Sequence, residues 1–196
     1  MLRVLPWITD PAIEFIDGWI AHRQKSSPIK TFEFGLGNST LWFLNKNHHV
    51  TSVDHDPLWI KKVECVAELF GLKSQLNAMY CQRPYFQMYK EPNYDIISID
   101  GRDRVQCLNR VIEIGIPEDA ILVLDNTERI SHGSYAEYVH ILKNYCLIHF
   151  EQPFVFGLPE HQATLKDRAG HRVGHRWITT IAYNIKNQYT SMGRPL

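Results

Sequence analysis

Two short stretches of this 196-residue chain combine residue types that can do chemistry with a spacing that suits it. In the first, residues 33–39 read Glu-Phe-Gly-Leu-Gly-Asn-Ser, so a carboxylate stands two positions before the first of two glycines. Glycines at such a place let the backbone turn tightly and come close to a ligand. The stretch predicts either a nucleotide-binding turn or a purely structural link between a strand and a helix.

The details of this turn argue against a phosphate ligand. A dinucleotide-binding turn needs a third glycine at the position of Thr40, and a P-loop needs a Gly-Lys-Ser/Thr sequence that is missing here. The Glu33 carboxylate would repel a phosphate, whereas it suits a ligand that carries an amino group and a sulfonium. Asp54, about 20 residues further on, is a candidate to accept the hydroxyl protons of a ribose. Asp56 is a competitor, but its place before a proline favours a helix cap.

The second group of residues lies at the ends of two later apolar runs. Asp100 closes the run at residues 96–99, and Asp125 and Asn126 close the run at residues 121–124. Since neighbouring parallel strands end at one edge of a sheet, these side chains should converge, and their hard oxygen atoms suit Mg²⁺ or Ca²⁺. Asp100, Asp125 and Asn126 are therefore candidate metal ligands. The alternative is that they cap helices or bind loop amides, as Asp does at such junctions.

Further polar residues are weaker candidates. His132 follows the Asp-Asn pair closely, so it could serve as a base near neutral pH, although a surface role is the alternative. A basic stretch near the end and two arginines after residue 100 could receive an anionic substrate or could form an ordinary solvated face: Lys166, Arg168, Arg172, Arg176, Arg102 and Arg104.

The elements that must position these residues alternate along the chain. A cap at Thr9 or Asp10 before a proline starts a helix, and strands are predicted at KTFEFG, HVTSVDHD, QLNAMYC, YDIISIDG, AILVLDN, CLIHFEQPFVFG and RWITTIAYNIK, with helices between most of them. Several strands are apolar on both faces. This pattern predicts an α/β fold, with a parallel sheet covered by helices on both sides and ligands beyond the carboxyl ends of its strands.

Composition narrows the function classes. Lys and Arg balance Asp and Glu at 21 each, which gives no reason to expect nucleic acid or an anionic membrane as a partner. Neither a signal peptide nor a membrane span is indicated, so a cytoplasmic location is expected. Cys65, Cys81, Cys107 and Cys146 lack metal-ligand spacing and are predicted to be reduced core thiols. Residues 1–196 are predicted to form a single domain, of which residues 1–30 are an N-terminal helical extension.

The Glu-x-Gly-x-Gly-x-Ser pattern resembles the first motif of class I S-adenosylmethionine-dependent methyltransferases, with Ser39 where a third glycine often stands. This resemblance implies a Rossmann-like sandwich with a seven-stranded, mostly parallel sheet and one antiparallel strand. It also implies that Glu33, Gly35, Gly37 and Ser39 contact the cofactor, with Asp54 on its ribose.

The ends of the fourth and fifth strands are similar to those of catechol-type, metal-dependent O-methyltransferases. The resemblance implies that Asp100 and Asp125 act at the acceptor, and that a metal ion lowers the pKa of its hydroxyl oxygens. One feature departs from that pattern, because Asp103 stands where those enzymes commonly have a lysine.

Four runs between residues 31 and 130, among them EFGLGNST and LVLDNTER, also resemble a little-characterised methyltransferase-like branch that is sometimes linked to glycan modification. The sequence thus predicts methylation of a small-molecule or glycan acceptor with S-adenosylmethionine. Two alternatives stay open: a non-catalytic binding module with the same fold, and an enzyme that binds NAD or a nucleotide sugar.

Overall fold

The computed structural model describes residues 4–23, 28–128, 135–153 and 176–184. Strands and helices alternate along these residues as the sequence predicts. In chain order the elements are α1 (Asp10–His22), β1 (Lys30–Phe34), α2 (Asn38–Asn45), β2 (His49–Asp54), α3 (Pro57–Leu69), β3 (Leu76–Tyr80), β4 (Ile96–Ile99), α4 (Arg104–Ile114), β5 (Ile121–Asp125), α5 (Tyr135–Ile141), β6 (Tyr145–Pro153) and β7 (Arg176–Asn184), with short 3₁₀ helices at Lys73–Gln75 and Phe86–Met88.

All seven strands form one sheet in the order β3-β2-β1-β4-β5-β7-β6. The pairs from β3 to β5 are parallel, and β7 is antiparallel to both of its neighbours. The predicted mostly parallel sheet with one antiparallel strand is therefore confirmed. Strand order reverses between β1 and β4, where sheets of this type bind ligands at the carboxyl ends of the strands.

Alternate residues of the central strands point into two separate cores. On β1, Phe32 and Phe34 belong to the core that also holds Leu108 and Val111 of α4. The opposite core joins the other face of the sheet to α1, α2 and α3 through residues such as Ile16. A strand covered on both faces needs apolar side chains on each, so the continuous apolar runs of β4 and β5 follow from this arrangement.

Helix α1 lies against the antiparallel end of the sheet. Thr9 stands at the N-cap position and Pro11 in the first turn, as the sequence predicts, but the Thr9 hydroxyl makes no capping hydrogen bond and donates to the Phe150 carbonyl instead. The Thr9 amide donates to the Thr179 hydroxyl of β7 at 3.0 Å. This start of the helical extension is thus attached to the sheet. Among the described helices, none is both long and apolar enough to cross a membrane.

The four cysteines are free thiols, as expected, but the prediction that they lie in the core is wrong for three of them. Only Cys107 is buried, whereas Cys65 is exposed, and Cys81 and Cys146 are half-buried. Cys107 lies on the face of α4 that packs against the sheet.

Candidate functional site

The carboxylate of Glu33 holds the turn between β1 and α2. The side chain is completely buried, and it accepts hydrogen bonds from the hydroxyls of Ser39, Thr40 and Ser52, the last at 3.1 Å. Burial raises the pKa of Glu33 to about 7, although the hydroxyl donors act in the opposite direction. Because Glu33 has no exposed surface, its carboxylate is positioned to hold the turn through these hydroxyls rather than to contact a ligand.

The two glycines of the turn have different structural reasons. Gly35 has a φ of 96°, and a Cβ there would lie 2.6 Å from the backbone of Gly101, so only glycine fits where the ends of β1 and β4 meet. Gly37 has extended backbone, and a Cβ would meet only the indole nitrogen of Trp59, at 3.8 Å. The described protein atoms therefore do not require glycine at Gly37. A glycine that its protein neighbours do not require is consistent with a ligand that passes close to this backbone.

Asp54 connects the end of β2 to the same turn. Its Oδ2 accepts from the Leu36 amide at 3.1 Å, and its Oδ1 accepts from the amides of His55 at 2.6 Å and Asp56 at 3.0 Å. The side chain keeps 11% of its surface exposed, unlike that of Glu33. Asp54 therefore lies beside the turn with a partly accessible carboxylate, as a ribose ligand would require. Asp56 caps α3 through the amides of Leu58 and Trp59.

At the ends of β4 and β5, the predicted ligands surround a buried arginine. The Arg104 side chain is only 5% exposed, and its Nη2 donates to Oδ1 of Asp100 at 2.9 Å and to Oδ1 of Asn126 at 3.3 Å. The same guanidinium donates to the backbone carbonyls of Asp100, Gly101 and Asp125. Of the three side chains predicted to converge, those of Asp100 and Asn126 meet at this guanidinium, whereas Asp125 contributes only its backbone carbonyl.

Asp125 faces a different set of partners. Its Oδ1 accepts from the indole nitrogen of Trp177 and from the hydroxyl of Thr179, both at 2.9 Å. Burial, followed by the charge of Asp100, raises the pKa of this carboxyl, while Arg104 opposes the shift. Because two side chains of β7 donate hydrogen bonds to its Oδ1, Asp125 connects the end of β5 to the antiparallel strand.

These residues do not fit a divalent metal ion. A metal ligand set needs oxygen atoms aimed at a common empty centre, whereas here Nη2 of Arg104 contacts two of the predicted ligands, Asp100 and Asn126. In the part of the chain that the structure describes, no group of three or more His, Cys, Asp or Glu residues could hold a metal ion. The Mg²⁺ suggested by the catechol-type resemblance has no support in this geometry.

Other sequence candidates have different outcomes. Arg104 was a candidate receptor for an anionic substrate, and that role is wrong, because its guanidinium is buried and bonded to protein oxygens. Asp103, at the position of the family's lysine, forms an ion pair with Arg83, whose Nε lies 2.9 Å from Oδ2. His132 and the basic residues Lys166, Arg168 and Arg172 lie outside the described residues, as does the side chain of Arg176.

Sequence reasoning missed several partners of the site. Arg104 could have been found, because it shares the helical spacing of Cys107, Leu108 and Val111 and therefore lies on the buried face of α4. Thr40 was considered only as a missing glycine, yet its hydroxyl serves both Glu33 and the amide of Gly37, the latter at 2.8 Å. The pairing of Trp177 and Thr179 with Asp125 spans more than 50 residues, and no local pattern signals it.

Comparison with known proteins identifies the fold. No protein-family model and no curated protein matches the sequence. Among solved structures, the chain is similar to the O-methyltransferase TomG from Streptomyces achromogenes, solved in complex with S-adenosylmethionine, with a TM-score of 0.65 and 10% identity over 90% of this chain and 81% of the other.

Two further solved structures match along nearly their whole lengths. Precorrin-6y C5,15-methyltransferase from Geobacter metallireducens has a TM-score of 0.59 and 10% identity, over 93% of this chain and 94% of the other. Precorrin 8W decarboxylase from Methanobacterium thermoautotrophicum has a TM-score of 0.62 and 16% identity, over 94% and 100%. The chain therefore has the Rossmann-like methyltransferase fold. Since proteins with different named reactions share it, function must be argued from the site.

Proposed function

We propose that this chain is an S-adenosylmethionine-dependent methyltransferase acting on an oxygen of a small-molecule or glycan acceptor. The observation that carries the proposal is the arrangement at the ends of β1 and β2. There a Cβ on Gly37 would make only an ordinary contact with the indole of Trp59, and the carboxylate of Asp54, whose side chain is 11% exposed, lies against the same turn. The solved O-methyltransferase that shares the fold and was crystallised with S-adenosylmethionine supports this assignment.

Each residue of the turn has a defined part in this proposal. Gly37 lets the cofactor pass close to the backbone, and Asp54 accepts hydrogen bonds from its ribose hydroxyls. Glu33 and Ser39, predicted from the sequence as direct contacts, instead hold the shape of the turn from its buried side. Gly35 acts one step further away, because it lets the end of β1 pack against β4.

The protein's chemical task in such a reaction is mainly positioning. The bound cofactor supplies a methyl group that is already activated as a sulfonium. The protein must then align the acceptor oxygen with that carbon and exclude water. Asp100, whose side chain is 22% exposed, is the member of the β4–β5 cluster placed to meet an acceptor group. His132 stays a candidate base, and Mg²⁺ has no step here, because Arg104 contacts its predicted ligands.

A matched pair of variants tests the cofactor site. Asp54→Asn removes the charge that receives the ribose, and S-adenosylhomocysteine should bind at least about tenfold more weakly, which corresponds to about 1.4 kcal/mol. Asp56→Asn makes the same chemical change two residues away, where asparagine is an equally good helix cap, so binding should stay within about twofold. Calorimetry measures both, and circular dichroism checks that both variants are folded. Equal affinities for Asp54→Asn and the wild type would refute the site.

The ligand panel also separates the alternatives. NAD and UDP-glucose should give no thermal stabilisation where S-adenosylhomocysteine does, because only a ligand of the folded state raises its stability. Stabilisation by NAD or UDP-glucose alone would favour a different enzyme class. Binding of S-adenosylmethionine without turnover across a broad panel of hydroxyl acceptors would favour a non-catalytic binding module.

A further inference from the structure

We propose that Arg104 is the resident cation of this site, bound to the side chains of Asp100 and Asn126 and to the backbone carbonyl of Asp125, where the catechol-type resemblance expects a metal ion. The observation behind it is the convergence of five oxygen atoms on one guanidinium. Two belong to the side chains of Asp100 and Asn126, and three are backbone carbonyls at the ends of β4 and β5. Arginine is suited to such a place because it stays charged and its fork of donors has fixed geometry.

The backbone at the start of α4 and at the end of β5 positions the residues of this arrangement. Asp103, just before the helix, has a φ of 54°, in the left-handed region that Asp and Asn tolerate. The first helical residue is Arg104, which shares its buried face with Cys107, Leu108 and Val111. Asn126 also has a positive φ, of 52°, directly after β5. Both backbone turns bring polar atoms to the same buried cation.

A permanent cation changes what the site can do for an acceptor. A metal ion holds two adjacent hydroxyl oxygens of a catechol at once, whereas the guanidinium here is bonded to the protein itself. Arg104 acts as a positioning residue that holds the carboxylate of Asp100 at the end of β4. An acceptor then needs only one O–H group that donates to Asp100, and adjacent hydroxyls are not required. This last step rests on the proposed methyltransferase function, but the identity of the cation does not.

The experiment compares metal responses in variants of two arginines from one helix. Arg104→Ala removes the cation and leaves the oxygen cluster. Arg110→Ala is the control, because Arg110 also donates to a backbone carbonyl, that of Tyr89 at 3.1 Å, but has no such cluster. Thermal unfolding is recorded in EDTA and in millimolar Mg²⁺ or Mn²⁺. Arg104→Gln, which is neutral but keeps hydrogen-bond donors, is measured in the same way in case the alanine variant does not fold.

The wild type and Arg110→Ala should change by less than about 1 °C between EDTA and metal. The neutral variants at position 104 should gain more than about 3 °C, because a divalent ion then binds the vacated oxygens. A merely structural role for Arg104 would not create a metal response. The inference is overturned if Mg²⁺ stabilises the wild type, or if no folded variant at position 104 responds to either metal. Binding of S-adenosylhomocysteine is assayed separately, so failure of the proposed function would be distinguishable.

Discussion

The carboxyl-terminal edge of the sheet has two halves, the ends of β1 and β2 and the ends of β4 and β5. The carboxylates of the two halves have different hydrogen-bond partners. At the β1–β2 half, Glu33 accepts from hydroxyls and Asp54 accepts from backbone amides, with Nδ1 of the His55 ring 3.1 Å from Oδ1 of Asp54. At the β4–β5 half, the 22% exposed carboxylate of Asp100 is paired with the guanidinium of Arg104, while the buried Asp125 accepts from Trp177 and Thr179. Neutral donors can hold a turn in place and leave the space above it open for a charged ligand. An internal cation instead satisfies its own cluster, which is consistent with the proposal that the cofactor binds at the first half and the acceptor is positioned at the second.

The largest effect is expected from breaking the second half. Arg104→Ala removes the donor to the half-buried carboxylate of Asp100 and to three carbonyls, which should lower the free energy of unfolding by about 3 kcal/mol. Chemical denaturation measures this loss, with Arg110→Ala as the control at about 1 kcal/mol. If both variants lose the same amount, Arg104 is an ordinary surface arginine in energetic terms, and the contrast between the two halves fails.

A smaller effect should separate the two glycines of the first half. Gly35→Ala places a Cβ 2.6 Å from the Gly101 backbone at a φ of 96°, so a loss of about 2–4 kcal/mol is expected from strain and crowding together. Gly37→Ala should change stability by less than about 1 kcal/mol, because its Cβ makes only an ordinary contact. Urea unfolding of both variants measures the difference.

Ligand affinity is a second property that should depend on Gly37. Gly37→Ala should stay folded and yet bind S-adenosylhomocysteine at least about tenfold more weakly, since the added methyl group occupies the space proposed for the ligand. Unchanged affinity in this variant would mean that the ligand does not pass over Gly37.

Much of this comparison could be predicted from the sequence, and the reasons are local. The strands carry continuous apolar runs, and Pro11 and Pro57 mark helix starts, the second of them capped by Asp56. The glycine turn and Asp54 follow from the fold because strand ends of a parallel sheet share one edge. Period and turn chemistry are properties of short segments, which is why the order of elements was correct.

The orientation of polar groups was harder to predict. Glu33 reads as a ligand contact in sequence, but its side chain points to α2, because strand residues alternate between the two faces and Phe32 and Phe34 face the other core. The partners of Asp125 come from β7, far along the chain. Whether a carboxylate faces a ligand or another protein group depends on such tertiary contacts, which spacing alone does not contain.

A separate prediction concerns the pH dependence of stability at Glu33. Its pKa is about 7 in the folded protein, above the value of 4.5 usual for an unfolded chain. The folded state therefore holds this proton more tightly, and the associated stability is complete below about pH 4.5 and is lost as the pH rises through 7. Relative to Glu33→Gln, which cannot ionise, the wild type should lose about 3 kcal/mol between pH 4.5 and pH 8. The free energy of unfolding is measured for both proteins by chemical denaturation at several pH values. The same pH dependence in the two proteins would contradict the buried position of Glu33.

The central claim is that the turn between β1 and α2 binds S-adenosylmethionine. Isothermal titration calorimetry of the folded wild-type chain with S-adenosylhomocysteine tests it most directly. We expect saturable one-to-one binding with a dissociation constant below about 1 mM, and we expect EDTA to leave this constant unchanged. No binding at millimolar ligand, with the protein shown to be folded, would contradict it.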